Sequence, residues 1–105
     1  AAQEALTIRR RLAKARPDAF EPYLAMSLNN LGNMLSELGR REDALDAARE
    51  AAEVLWPHTM RLPGGFDAWL KVIAANYVRR CEEAGVDPDE ALLTRIGEAL
   101  RNTPG

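Results

Sequence analysis

The sequence predicts an all-α fold in which antiparallel helix pairs stack as a solenoid, with about five helices. Three observations predict it. Helix-forming Ala, Leu, Glu and Arg dominate, and sustained apolar–polar alternation is nearly absent. Glycine and proline gather at breaks: Pro17, Pro22, Gly39, Pro57, Pro63-Gly64-Gly65, Gly85 and Pro88. The segments between those breaks repeat. Pro17 and Pro63 are 46 residues apart, as are Phe20 and Phe66, Leu24 and Leu70, Asn30 and Asn76, and Gly39 and Gly85. Periodicity of this size marks a helical solenoid.

The elements follow in order. The first helix is expected over 2–15, with Ala5, Leu6, Ile8 and Leu12 as its buried side. The second is expected over 22–38, because proline fits a first helical turn, where its missing N–H is no loss. Gly39 is placed to end it in a left-handed conformation. The third, over 41–56, carries Ala44, Leu45, Ala48, Ala52 and Leu55 on one side. Trp56-Pro57 then opens a connection. The fourth spans 66–84 and stops at Gly85. The fifth spans 88–101, with Asp87-Pro88 as a capping residue followed by proline.

After the glycine the repeat offset becomes 47: Ala44 with Ala91, Leu45 with Leu92, Pro57 with Pro104. One inserted residue accounts for the change. Glu4-Ala5 matches Glu50-Ala51 at 46, so residues 1–16 read as the last helix of a preceding repeat. Residues 20–57 form a well-kept repeat, and residues 66–104 a degenerate or capping one. One domain or fragment therefore covers 1–105. Opening inside a helical pattern without an initiator Met, the chain is expected to come from a longer array.

Composition narrows the function classes. The 105 residues are 47% apolar and 29% charged, which is ordinary for a globular domain. A net charge of −2 favours neither nucleic acid nor an anionic membrane as partner. No apolar run is long enough to span a bilayer, and the first residues lack the order of a signal peptide. The single cysteine, Cys81, rules out an internal disulfide framework. Together these features point to the cytoplasm.

The most telling stretch is Leu28-x2-Leu31-Gly32-x2-Leu35-x3-Gly39-x4-Ala44-x3-Ala48-x2-Ala51, ending at Trp56-Pro57. Leu24, Leu28, Leu31, Leu35 and Leu38 form one helical stripe. Gly32 and Ala48 lack bulk, so two helices can approach closely there. These residues resemble the tetratricopeptide repeat family, whose repeat reads W-x2-L-G-x2-Y, then A-x3-F, then P. Leu28 stands for the Trp, Leu31-Gly32 match directly, Leu35 stands for the Tyr and Ala48 for the Phe. The following copy is weaker, with Ala74, Tyr77-Val78, Cys81, Gly85, Ala91 and Arg95 at those places. The long period and the wording Ser27-Leu28-Asn29-Asn30-Leu31-Gly32 look most like kinesin-light-chain-type bacterial repeats. The resemblance implies a right-handed superhelix of helix pairs.

Residues suited to chemistry are few. His58, the only histidine, is expected to be solvated in a connection, and Cys81 to be buried packing. No phosphate loop, metal-ligand spacing or nucleophile elbow occurs, so no catalytic, cofactor or metal site is expected. Arg9-Arg10-Arg11 and Arg79-Arg80 read as solvated faces. Phe66, Trp69 and Trp56-Pro57 are expected to pack the inter-repeat connection, although exposed tryptophans there would signal a partner contact.

The candidate site is a polar stripe. Met26, Asn30, Asn33 and Glu37 share one side of the second helix, and Asn29 flanks them. Adding 46 gives Val72, Asn76, Arg79 and Glu83 on the fourth helix. Asparagine inside a helix costs about 0.5 kcal/mol relative to alanine. Its amide both donates and accepts, so it can pair with the backbone of an extended peptide. The resemblance implies that first helices line a concave, ligand-holding groove, with Asn29, Asn30, Asn33 and Asn76 as backbone contacts. The alternative is that these amides hydrate the face or bond between adjacent helices. The expected function is a non-enzymatic scaffold that binds a protein or peptide partner. Alternatives are a self-associating module, through Ala5, Ile8 and Leu12, and a regulatory region of a larger multidomain protein.

Overall fold

A computed structural model describes residues 2–101. Five helices follow in order: α1 (Ala2–Ala15), α2 (Pro17–Glu37), α3 (Arg41–Arg61), α4 (Asp67–Ala84) and α5 (Glu90–Arg101). No strand occurs among the described residues. Pro104, the repeat partner of Pro57, lies outside them.

Two glycine turns hold as expected. Gly39 has φ +79° and Gly85 φ +69°. At the first, Gly39 N donates to Ser36 O and Arg40 N reaches back to Leu35 O at 2.9 Å. At the second, Gly85 N donates to Glu82 O and Val86 N to Cys81 O. Both pairs satisfy the last carbonyls of a helix through a left-handed residue.

Three boundaries differ from the sequence expectation. α2 begins at Pro17, not near Pro22, so Pro22 lies inside the helix. Pro17 occupies the first position, where no amide is required. The carbonyl that Pro22 fails to serve belongs to Asp18, which is exposed, so water can satisfy it. α3 likewise runs through Pro57 to Arg61. Its extra turn is held by burial of His58 and Thr59, and Thr59 Oγ1 donates to Leu55 O at 3.2 Å. α5 begins later, capped by Asp89 and not by Asp87-Pro88. Asp89 Oδ1 accepts from Ala91 N at 2.9 Å and Leu92 N at 3.2 Å.

The core runs along the α2–α3–α4 junction. Leu28, Leu55, Leu70, Ile73, Tyr77 and Cys81 are buried, each large apolar side chain contributing about 1.5–3 kcal/mol before entropy. Gly32 is where α2 and α3 press together. A Cβ there would stand 3.2 Å from Ala44 O and 3.7 Å from Ala47 Cβ. Leu38 departs from the stripe and is exposed, because it caps α2 past its last packed turn.

α1 also packs differently from expectation. Leu6 and Ala13 are its buried residues, whereas Ala5 is exposed, Ile8 is 56% exposed and Leu12 38%. Long polar side chains complete its attachment. Arg9 donates to Ser27 Oγ at 2.5 Å, and Arg10 grips both oxygens of Glu50 at 2.5 and 2.9 Å. That grip raises the affinity of the Arg10 guanidinium for its proton. The Arg9-Arg10-Arg11 run is thus exposed, but two of its members are tethers.

Candidate functional site

α2 and α4 run parallel and side by side. Three ascending pairs establish it: Tyr23 with Trp69, Asn29 with Asn76, and Ser36 with Glu83. The predicted stripe therefore lies on two neighbouring helices, and the structure divides it into two sets.

The first set holds the seam. Asn29 is buried, and its Oδ1 accepts from Asn76 Nδ2 at 2.9 Å. Ser36 Oγ donates to Glu83 Oε1 at 2.8 Å. Arg80, expected on a solvated face, is only 6% exposed, with Nε 3.2 Å from Glu83 Oε1. That approach lacks the alignment of a hydrogen bond, so the guanidinium is held by charge and by its packed aliphatic stem. The pairing of Asn29 with Asn76 is a bond between adjacent helices.

The second set faces outward. Asn30, Glu37 and Arg79 are exposed, Asn33 is half-buried, and none of the four has a polar side-chain partner among the described residues. Met26 is half-buried against the core. Exposed Val72 and Tyr23 add apolar area to the two helices. This face thus combines two free amides, one free cation, one free anion and apolar patches.

Aromatic side chains stiffen the base of the face. Trp69 meets Tyr23 edge-on with centroids 5.9 Å apart and lies 5.8 Å from Phe66. Trp56 lies under the Arg95 guanidinium of α5, 5.7 Å from its ring centroid. Both tryptophans are half-buried within α3 and α4, whereas residues 62–65 of the connection are exposed, so the aromatics pack the flanking helices.

His58 corrects the sequence reading. It is 6% exposed within α3, with Nε2 2.7 Å from Glu21 Oε1 and Nδ1 3.0 Å from an Arg61 amino group. Arginine can only donate, so Nδ1 accepts and Nε2–H donates to Glu21. Phe66 stands edge-on to the ring at 6.4 Å. A histidine with both nitrogens engaged pins α2 to the end of α3. The sequence signal was helical spacing, which puts it one turn beyond buried Leu55, but Pro57 obscured it.

Tyr77 makes a second buried polar lock. Its hydroxyl accepts from Asp89 N at 2.8 Å, and burial pushes the phenol up from its ordinary value. Asp89 also pairs with Arg49, whose guanidinium is raised chiefly by its hydrogen bond to Glu53. Cys81 is buried as expected. Among the described residues no group of three His, Cys, Asp or Glu side chains could hold a metal ion. No helix there is long and apolar enough to cross a membrane.

Against known proteins, residues 24–55 match the family model of the tetratricopeptide repeat, which supports a place in that family. The matched segment is most of α2 and the packed part of α3, where Gly32 meets Ala44. Such repeats generally mediate protein–protein interaction and are typically non-catalytic scaffolds. No curated protein and no solved structure matches the chain.

Proposed function

We propose that the outward face of α2 and α4 binds an extended segment of a partner protein, without covalent chemistry. Asn30 and Asn33 offer amides to the partner's backbone, while Arg79 and Glu37 select its charges. Asn29, Asn76 and Glu83 belong to the same surface but serve it by fixing the spacing of the two helices. The observation that carries this reading is the pair of unbonded amides, Asn30 and Asn33, on a face stiffened from behind. A helix optimised for stability alone would place better helix formers there.

The same reading includes the repeat organisation, with 1–16 closing a preceding unit, 20–57 a well-kept unit and 66–104 a degenerate or capping unit. It also includes kinesin-light-chain-type relatives and a cytoplasmic setting. Self-association is a second reading, favoured by exposure of Ile8 and Leu12 on α1.

The test uses peptides enriched on the protein from a displayed random library. Adding such a peptide to isotope-labelled protein is expected to shift the signals of Asn30, Asn33, Val72 and Arg79. Shifts confined to other helices would overturn the proposal.

A further inference from the structure

Charge is distributed along this chain in two opposed blocks. Residues 9–16 contain Arg9, Arg10, Arg11, Lys14 and Arg16 and no acid. Residues 82–90 contain Glu82, Glu83, Asp87, Asp89 and Glu90 and no base. The overall charge of −2 conceals this polarity.

Each block coincides with a shape. The basic block borders a cleft of about 770 Å³ between α1 and α2, with Ala13, Pro17 and Leu24 among its lining residues. Arg10 and Glu21 on its rim are already engaged, by Glu50 and His58. Arg11 and Lys14 are exposed and have no ion-pair partner among the described residues. The acidic block forms the turn between α4 and α5, with Val86 at its tip, 51% exposed. Asp89 and Glu83 are engaged by Arg49 and Arg80, but Glu82 and Asp87 are exposed and unpaired.

We propose that the acidic turn at Val86 of one copy docks into the basic cleft of a second copy. Val86 would cover the apolar lining, and Glu82 and Asp87 would meet Arg11 and Lys14. The two surfaces of one copy cannot meet each other. α2 and α4 run parallel, so the start of α2 and the end of α4 lie at opposite ends, about 30 Å apart at 1.5 Å per residue. The contact is therefore heterologous and links copies into a row or a ring. It leaves the outward face of α2 and α4 open and does not depend on the groove reading.

Sedimentation velocity over a concentration series tests it. The wild-type chain is expected to associate at low salt and to dissociate in about 0.5 M salt, where exposed charges are screened. Arg11→Glu with Lys14→Glu, and separately Glu82→Lys with Asp87→Lys, should each weaken association at least tenfold. An equal mixture of the two variants should restore it, because each acidic surface again meets a basic one. Val86→Asp, at an exposed turn, should weaken association with the helical circular dichroism unchanged. A wild-type chain that stays monomeric at every concentration overturns the proposal. So does association that survives both charge reversals, or a mixture that fails to reassociate although both variants are folded.

Discussion

Asn76 donates its side-chain amide to Asn29 across the seam between α2 and α4, at 2.9 Å. Asn29 is buried, so its oxygen has no easy substitute for that donor. The bond sets the register of two helices whose outward sides form the proposed binding face. Asn76→Ala should lower unfolding free energy by about 1–3 kcal/mol, the usual cost of orphaning a buried acceptor. Denaturant titration measures it. A double-mutant cycle with Asn29→Ala should recover a coupling of about 1 kcal/mol. Additive losses would show that the pair does not tie the helices.

Gly32 and Gly39 make a contrast in mechanism. Gly32→Ala places a methyl 3.2 Å from a backbone oxygen of α3. Overpacking costs about 1–3 kcal/mol against a helix-propensity gain of about 1 kcal/mol, so a net loss near 1 kcal/mol is expected. Gly39→Ala meets open space, and its loss, about 1–2 kcal/mol, comes from the left-handed backbone alone. Asn at position 39 should recover part of that loss but the same residue at 32 should not. Thermal melts of the four variants check the pattern.

Tyr77 predicts alkaline behaviour. Burial, partly offset by the Asp89 amide, raises its phenol above the ordinary 10.0. The folded state therefore holds the proton more tightly than the unfolded chain. Its contribution is fully present below pH 10 and is lost as pH rises through the folded value. Stability measured by denaturant should fall above pH 10, and Tyr77→Phe should remove that part of the fall. An identical alkaline slope in the variant would contradict this assignment.

His58 predicts a tautomer. With Arg61 donating to Nδ1, the hydrogen sits on Nε2 and points to Glu21. Long-range nitrogen–proton correlation of the imidazole should show the Nε2–H form at neutral pH. Arg61→Ala should weaken that bias, while Glu21→Gln should leave an acceptor in place and preserve it.

Much of the architecture was legible because it rests on local chemistry. Gly39 and Gly85 sit where a left-handed residue is required, and the 46-residue offset reports the stacking. Two of the displaced boundaries share one cause. In the sequence Pro22 and Pro57 read as helix edges, but a proline inside a helix is tolerated when the carbonyl it abandons reaches water. Asp18 supplies that case for Pro22, and exposed Glu53 for Pro57. His58 consequently reads as part of a connection. On α1, Ile8 and Leu12 looked like core by hydrophobicity, yet Leu6 and Ala13 face α2 while arginines provide the anchoring. The asparagine stripe was visible, but its division was not. Repeat arithmetic aligns Asn76 with Asn30, whereas the spatial neighbour is Asn29, one residue away on the buried side. Equivalent positions touch at Tyr23 and Trp69, but along the seam the bonded partner is shifted by one residue.

In the proposed function Asn30 and Asn33 bind a partner and do little for the fold. The most direct measurement is the affinity of a library-enriched peptide for the Asn30→Ala, Asn33→Ala double variant, alongside its melting curve. Binding at least tenfold weaker, about 1.4 kcal/mol, is expected, with stability unchanged or raised by up to about 1 kcal/mol, the helix-propensity gain of two alanines. Unchanged affinity in a variant at least as stable as the wild type would contradict it.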